Sequence, residues 1–400
     1  LTGSILTLNA GSSSLKFALF DEATMVAAVR GEIENLDAAP HMRAYDTTGA
    51  VLAERRWQAG LPHLFTVVLG ELLAFADAQP GSKTLAAVGH RVVHGGVDHR
   101  APERVTPALL LALQALTPLD PLHMPHCLAP IVAVTAARPG LAQVACFDTA
   151  FHQTMPPVAQ HFALPRAVSD RGVRRYGFHG LSYEYIASRL PSVSPRLAQG
   201  RVITAHLGAG ASLCAMLAGR SIETTMSFSV LDGLVMATRC GSIDAGVLLY
   251  LGRQGHSMQD IEDMLYHRSG LLGVSGISGD VRVLLASSDA HAAEALLLFS
   301  YRTACAVGAL TSALGGLDGI VFTAGIGEHA TPVRAAVCQR LAWLGVAIDE
   351  AANAAGAGLI STPGSPVEVR VIPTDEETMI AHHTRACTER DPGTMPAEAM

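Results

Sequence analysis

Four side chains carry chemistry at the ends of apolar segments: Arg91, Asp148, His179 and Arg239. Arg91 lies near the end of the apolar run 85–93, inside Gly-His-Arg-Val-Val-His-Gly-Gly (89–96). Asp148 directly follows the run 141–147, in Phe-Asp-Thr-Ala-Phe-His. His179 sits in Gly-Phe-His-Gly (177–180), and Arg239 in the small-residue loop 236–242. A guanidinium fork binds carboxylate or phosphate at two points and stays charged; its plainer use is a surface ion pair, worth little. An acid after a strand holds Mg²⁺ through water or orients a reacting group; it equally caps the next segment. A histidine at a helix N-terminus suits an anion and offers an N–H to a phosphoryl oxygen, or simply caps the helix.

These groups need elements to position them. Residues 5–20 read as strand, turn and strand, with Ile5, Leu6 and Leu8 before the turn and Leu15, Phe17, Leu19 and Phe20 after it. Gly11 and the serines 12–14 make a bend whose N–H groups suit phosphate oxygens, with Lys16 just beyond. The same composition suits an ordinary polar hairpin turn. It is not a Walker loop, since no Gly-Lys-Ser/Thr closes it and a strand follows. The pattern returns at 202–217: apolar strand, Ala209-Gly210-Ala211-Ser212, apolar strand. Two duplicated domains are therefore expected. A third strand, 319–323, leads into Ala-Gly-Ile-Gly-Glu-His (324–329) and a helix from Thr331, a backbone that lets a base and ribose approach closely.

Between these turns, 25–34 reads as a strand and the polar stretch to Gly60 as a connection. Helices are expected over 64–77, 106–116, 127–137, 180–190, 244–251, 256–267 and 290–314, with 270–279 a glycine- and serine-rich loop before Asp280-Val-Arg282. Strand 367–372 precedes a helix from 373 to about 387, and the tail from Asp391 reads as frayed. Character changes at Pro156-Pro157, close to a domain crossing. The division expected is residues 1–149, completed by a C-terminal helix at about 378–395, and residues 150–377.

A chain of 400 residues suits two cores. A net charge of −7 gives no pull toward nucleic acid. No apolar run is read as long enough for a bilayer, and no basic-then-apolar leader stands at the start, so no membrane association and no secretion are expected. Seven scattered cysteines without a CxxC pair point to reduced thiols in a cytoplasm. His90 with His94, and His123 with His126, lack a third ligand at a familiar spacing, so capping or solvated histidines are expected rather than zinc.

Glycine turns after strands, with isolated arginines, a histidine and an acid at strand ends, are what phosphoryl transfer needs: two anions positioned and their charge neutralised. The sequence resembles the acetate kinase family, of the actin, Hsp70 and sugar-kinase fold group. The resemblance rests on 9–16 (Asn-Ala-Gly-Ser-Ser-Ser-Leu-Lys), 89–96, Phe-Asp-Thr-Ala-Phe-His-Gln-Thr-Met-Pro (147–156), Tyr-Gly-Phe-His-Gly (176–180), Thr-Arg-Cys-Gly-Ser-Ile-Asp (238–244) and Phe-Thr-Ala-Gly-Ile-Gly-Glu (322–328).

The resemblance implies an α/β fold of two duplicated actin-like, ribonuclease H-like domains with a central cleft. It implies reversible in-line transfer from ATP to acetate, giving acetyl phosphate and ADP, by a homodimer. Asn9 and Glu376 would help hold Mg²⁺, with Mn²⁺ as a substitute, and Lys16 would lie by the phosphates. Arg91 and Arg239 would grip carboxylate and phosphoryl group, His179 would stabilise that group in flight, and Asp148 would orient or activate the acyl substrate. His206, Leu207, Gly208, Ala209 and Gly210, with Asp280, Val281 and Arg282 and with Gly325, Ile326, Gly327, Glu328 and His329, match nucleotide-binding segments. Val93, Leu122 and Phe178 would line the acyl pocket, joined by Val230.

The chain departs from the family pattern in four places. Ala209 stands for asparagine, which removes a phosphate contact worth about 0.5–1.5 kcal/mol. Val230 stands for proline and opens the choice between acetate and propionate. Leu181-Ser-Tyr183 replaces Thr-Ser-His, and Asp375 replaces asparagine, either strengthening the cation site or capping the helix. Two other classes compete: a non-catalytic actin-like nucleotide sensor, which has no use for Arg91, Arg239, His179 and Asp148, and a sugar kinase, which would want a polar pocket.

Overall fold

The computed structural model describes residues 3–11, 13–36, 38–60, 63–79 and 84–389; Ser12 and the tail from Asp391 lie outside the described residues. The chain divides into two units, Leu1–Ala150 with Asp375–Met400, and Phe151–Thr374. The return to the first unit falls at 374/375, ahead of the expected 377/378. Asp375 caps the terminal helix Glu376–Glu389, its Oδ1 accepting the Thr378 N–H at 3.0 Å.

In the first unit β1 (Ser4–Ala10) and β2 (Leu15–Asp21) form a hairpin. The sheet continues through β3 (Ala27–Glu34), β4 (His41–Tyr45), β5 (Val51–Arg56), β6 (Leu85–Val92), β7 (Glu103–Arg104) and β8 (Ala142–Phe147). Its order is β5-β4-β3-β2-β1-β6-β8-β7. Alternation divides each strand between two faces. Leu6, Leu8, Leu15, Phe17 and Leu19 share one core with Val68, Leu72 and Val134 of helices Leu64–Asp77 and Met124–Ala137. Ile5, Ala18 and Phe20 face the other way and meet Ala381 of the terminal helix. That helix approaches closely because β6 carries Gly89: a Cβ there would lie 2.1 Å from Thr384 Oγ1 and 2.5 Å from Ile380 Cγ2.

The second unit has β9 (Arg201–Leu207), β10 (Ala211–Leu217), β11 (Arg220–Thr224), β12 (Gly319–Thr323) and β13 (Glu368–Val371), in the order β11-β10-β9-β12-β13. The first unit contains the same run as β3-β2-β1-β6-β8. In both, two antiparallel pairings are followed by two parallel ones. The duplication expected from two four-residue turns is thus present across five strands on each side. Its core joins Ile186 and Leu190 of helix Gly180–Val193 to Val202, Cys214, Met216 and Val321.

Four expectations need correction. The polar stretch to Gly60 contains β4 and β5; β5 is an edge strand with mostly exposed residues, so no alternation marks it. The loop 270–279 begins with a helix, Gly270–Ser275. The turn 324–329 is itself a short helix, Ala324–His329. Helix Ala290–Leu314 is, by length and composition alone, long and apolar enough to cross a membrane; it buries Ala292, Ala295, Phe299, Ala304, Val307 and Leu310 in the second unit.

His90, His94 and His152 are among the buried histidines. His90 bonds Gln143 through Nε2 at 2.8 Å, the Nδ1 of His94 accepts the Gly96 N–H at 2.8 Å, and His152 bonds Ser221 and the Phe178 carbonyl. Among the described residues no cluster of three or more His, Cys, Asp and Glu forms a metal cage.

Adding a methyl at Gly89 overpacks the contact with the terminal helix. Gly89→Ala is expected to lower stability by about 1–3 kcal/mol; an unchanged urea midpoint would contradict this packing. Burial pushes His90, His94 and His152 from 6.5 to about 4. The unfolded chain therefore binds more protons between those values, and stability falls as pH drops through 6.5 toward 4, by up to about 1.4 kcal/mol per pH unit for each group. Urea midpoints measured from pH 8 to 4 are expected to be level above 7 and to fall below 6.5. A midpoint constant across that lower window would contradict the burial of neutral rings.

Candidate active site

In the first unit Arg91 and Asp148 stand at the C-terminal ends of adjacent parallel strands, β6 and β8, where ligands gather in open α/β sheets. The Asp148 N–H donates to the Val92 carbonyl at 3.0 Å, which fixes the acid beside Arg91. Arg91 donates through Nε at 2.9 Å and Nη2 at 2.5 Å, both to Asp148 Oδ2. Its Nη1 donates to the Ala10 carbonyl at 3.4 Å. Asp148 is fully buried and the Arg91 side chain is 16% exposed. Burial alone would pull Arg91 down; the charges of Asp148 and then Glu376 outweigh it and raise the guanidinium further. Asp148 is thus the group that orients Arg91, an ion pair far from the exposed surface kind.

Glu376 opens the terminal helix beside this pair. Asn9 Nδ2 donates to Glu376 Oε2 at 2.8 Å and to Glu377 Oε1 at 3.2 Å. Lys16 is the cross-strand partner of Asn9 and is exposed. Burial, then the charge of Glu376, pushes Glu377 up, an electrostatic pressure that a divalent cation relieves. Two carboxylates and an amide are hard oxygen donors of the sort Mg²⁺ takes alongside phosphate and water, so the residues fit that ion. Asp375 is engaged elsewhere: it accepts two bonds from Arg30, at 3.1 and 2.6 Å, and caps the helix. Of the two readings of Asp375, this geometry is the cap.

In the second unit His179 has φ +58°, a strained setting for a residue with a Cβ. It precedes helix Gly180–Val193 without a side-chain capping bond and is half-buried rather than exposed. Gly177, at φ +88°, leaves the space that His152 fills: a Cβ there would lie 2.4 Å from the ring. His152 in turn bonds the Phe178 carbonyl at 2.9 Å and holds the turn that carries His179. His179 stacks on His206 with centroids 4.1 Å apart.

Arg239 donates to the Val230 carbonyl at 3.0 Å. Its loop is fixed by the helix the sequence concealed: the N–H groups of Ser269, Leu271 and Leu272 donate to the carbonyls of Thr238, Met236 and Ala237. Ala237 donates to the Ala209 carbonyl at 3.0 Å, which joins the loop to the β9–β10 turn. Over that turn two groups converge: a Cβ built on Gly210 would stand 3.3 Å from His179 Nε2 and 3.7 Å from Arg239 Nη1.

Next to the turn lies a cavity of about 480 Å³ lined by Gly208, Ala209, Asp280, Val281, Arg282, Gly325, Ile326 and His329, together with Ala237, Gly279, Leu285 and Ala330. Its wall is mostly apolar and glycine-edged, suited to a base and ribose. The Arg282 fork pairs with Asp280 at 2.6 Å at its exposed rim. His206, Leu207, Gly210, Gly327 and Glu328 do not line it. Leu207 is buried, Gly327 packs against the backbone of Phe322 and Ala205, and Glu328 accepts the Thr374 N–H at 3.1 Å. Fully buried Arg334 donates to the carbonyls of Gly327 and Glu328 and to Asn353, and so fixes the 324–329 segment.

Of the acyl-pocket residues, Val93 and partly buried Leu122 belong to the first unit; buried Phe178 and Val230 belong to the second. Sequence reasoning singled out neither Arg334 nor Thr374, and it named Ser182, Tyr183 and Ser212 without giving them a role. It also missed the dyad of Asp120 and His123, joined Oδ1 to Nδ1 at 2.9 Å. The i, i+3 spacing is the sequence trace of that dyad; the others meet through tertiary contacts.

The Acetokinase family profile matches residues 4–382. The acetate kinase of Rhodopseudomonas palustris strain TIE-1 is 52% identical over 387 residues, covering 95% of this chain and 97% of that protein. The acetate kinase of Rhizobium meliloti is 48% identical over 389 residues, covering 96% and 98%. Among solved structures, Porphyromonas gingivalis acetate kinase superposes with a TM-score of 0.85 at 34% identity, covering 97% of this chain and 100% of that one. A propionate kinase from Francisella tularensis subsp. tularensis SCHU S4 gives 0.87 at 35% identity, covering 95% and 98%. With the profile spanning nearly the whole length and the Arg91–Asp148 and Arg239–His179 arrangements in place, the chain belongs to the acetokinase family.

Proposed function

We propose that this protein moves the γ-phosphoryl group of ATP to a carboxylate oxygen of acetate, forming acetyl phosphate and ADP, and catalyses the reverse. An acetate oxygen forms the new bond to γ-phosphorus as the bond from phosphorus to the bridging β–γ oxygen breaks, with ADP as leaving group. The observation that carries this reading is the convergence of Arg239 and His179 on Gly210, beside a glycine-edged cavity of about 480 Å³. The cavity takes the nucleoside, and the Gly208–Gly210 turn takes the phosphates.

Arg239 neutralises charge on the phosphoryl group in flight, and His179 donates to one of its oxygens. Arg91, held by Asp148, grips the acetate carboxylate, and Val93 and Leu122 of the same unit meet its methyl group. Mg²⁺, or Mn²⁺, bound through Asn9 and Glu376, would offset phosphate charge, with Lys16 as a further cation nearby.

The enzyme works as a homodimer in the cytoplasm. Exposed Leu249, Tyr250, Leu297 and Tyr301 support a protein contact, and seven free cysteines suit a reducing compartment. Propionate is the second reading. It is favoured by Val230, whose side chain stands where the family pattern has proline, and by the likeness to the Francisella enzyme named propionate kinase.

One added methylene changes discrimination by about 1–3 kcal/mol. A steady-state panel with ATP and Mg²⁺ is expected to rank kcat/KM as acetate above propionate above butyrate. A clear preference for butyrate would overturn the acyl-pocket assignment, and ATP binding without acyl hydroxamate formation would overturn catalysis itself.

A further inference from the structure

The stacked histidines of the second unit each carry a serine hydroxyl at Nδ1. Ser212 Oγ lies 2.8 Å from His179, and Ser182 Oγ lies 2.8 Å from His206. Behind Ser212 stands the Tyr183 hydroxyl at 2.5 Å, and both residues are fully buried. Tyr183 occupies a position where the family pattern has histidine.

For a neutral His179, counting protons along this line leaves one arrangement. Among the described residues, Ser212 is the hydrogen-bond partner of the Tyr183 hydroxyl. Were Tyr183 to accept there, its own proton would be buried without an acceptor, which interiors avoid. Tyr183 therefore donates to Ser212 Oγ. Having accepted, Ser212 has one proton to give, and the atom within reach is His179 Nδ1. A neutral imidazole that accepts at Nδ1 carries its proton on Nε2. That nitrogen faces the β9–β10 turn, 3.3 Å from where a Cβ on Gly210 would stand, and Arg239 Nη1 lies 3.7 Å from the same point.

We propose that Tyr183 and Ser212 are positioning residues that hold His179 in its Nε2–H form, so that the proton points at the phosphoryl group over Gly210. This rests on the reading of His179 as a donor to that group. A histidine at 183 would act as donor or acceptor and change charge with pH; a tyrosine has one proton to give. Burial, and then the nearby Cys214, keeps the Tyr183 hydroxyl protonated well above its ordinary range. The parallel line from Thr374 to Ser182 to His206, with 2.8 Å at each step, gives the stacked partner the same polarity.

The test uses full-length protein labelled with ¹⁵N-histidine. Long-range proton–nitrogen correlations distinguish the two tautomers, and the His179 signal is identified by its loss in His179→Gln. The wild type is expected to show His179 protonated at Nε2, and Tyr183→Phe a mixture of tautomers. Tyr183→Phe and Ser212→Ala are each expected to lower kcat about tenfold while KM for ATP and acetate stays within about twofold. Protonation at Nδ1 in the wild type would overturn the relay, whatever the kinetics of the Tyr183 and Ser212 variants. Unchanged tautomer and unchanged kcat in Tyr183→Phe would also overturn it. Unchanged kcat in His179→Gln would instead overturn the catalytic role of His179, while the tautomer measurement still decides the relay.

Discussion

A carboxylate and a triphosphate repel each other, and every part of the proposed chemistry depends on fixed positive charge that offsets this. Two like charges 4 Å apart interact by about 4 kcal/mol at an effective dielectric near 20. A mobile surface arginine would answer poorly, because water and side-chain entropy weaken it. Arg91 is not mobile: two of its donors converge on fully buried Asp148, and that acid is fastened by its own N–H to the neighbouring strand. Breaking such a pair by removing one partner leaves a buried charge uncompensated, so the acid serves orientation and charge balance together.

Each unit builds such positions from the same order of strands. The hairpin that opens each sheet supplies a tight turn, and the parallel strands beside it end close to the groups that matter. In the second unit the loop of Arg239 is tied to the start of helix Gly270–Ser275 and to Ala209 by four main-chain bonds, and the Arg239 side chain donates to the Val230 carbonyl. His179 sits in a left-handed conformation that His152 and Gly177 enforce from behind. Strain of this sort persists where surrounding contacts over-determine it.

Much of this was legible in the sequence because chemistry-bearing residues and glycines are local signals. Asn9 to Lys16, Arg91, Asp148 and residues 176–180 all announced strand ends and turns, and Ala290–Leu314 followed its helical pattern end to end. Elements without a one-sided apolar pattern were not legible. Edge strand Val51–Arg56 is mostly exposed, and Gly270–Ser275 is hidden by a composition that reads as loop. The hydroxyl line through Tyr183 and Ser212 was invisible for another reason: its members lie 29 residues apart and meet only when the helix after His179 packs on β10. The burial of Asp148 was likewise a property of the sheet rather than of its neighbours in sequence.

In the proposed reaction, guanidinium charge acts on the group in transfer rather than on nucleotide binding. Steady-state kinetics of Arg239→Ala test it most directly. A fall in kcat of about 10²–10³-fold is expected, with KM for ATP within about threefold, because the lost interaction belongs to the transition state. An unchanged kcat, with the whole effect in KM for ATP, would contradict it.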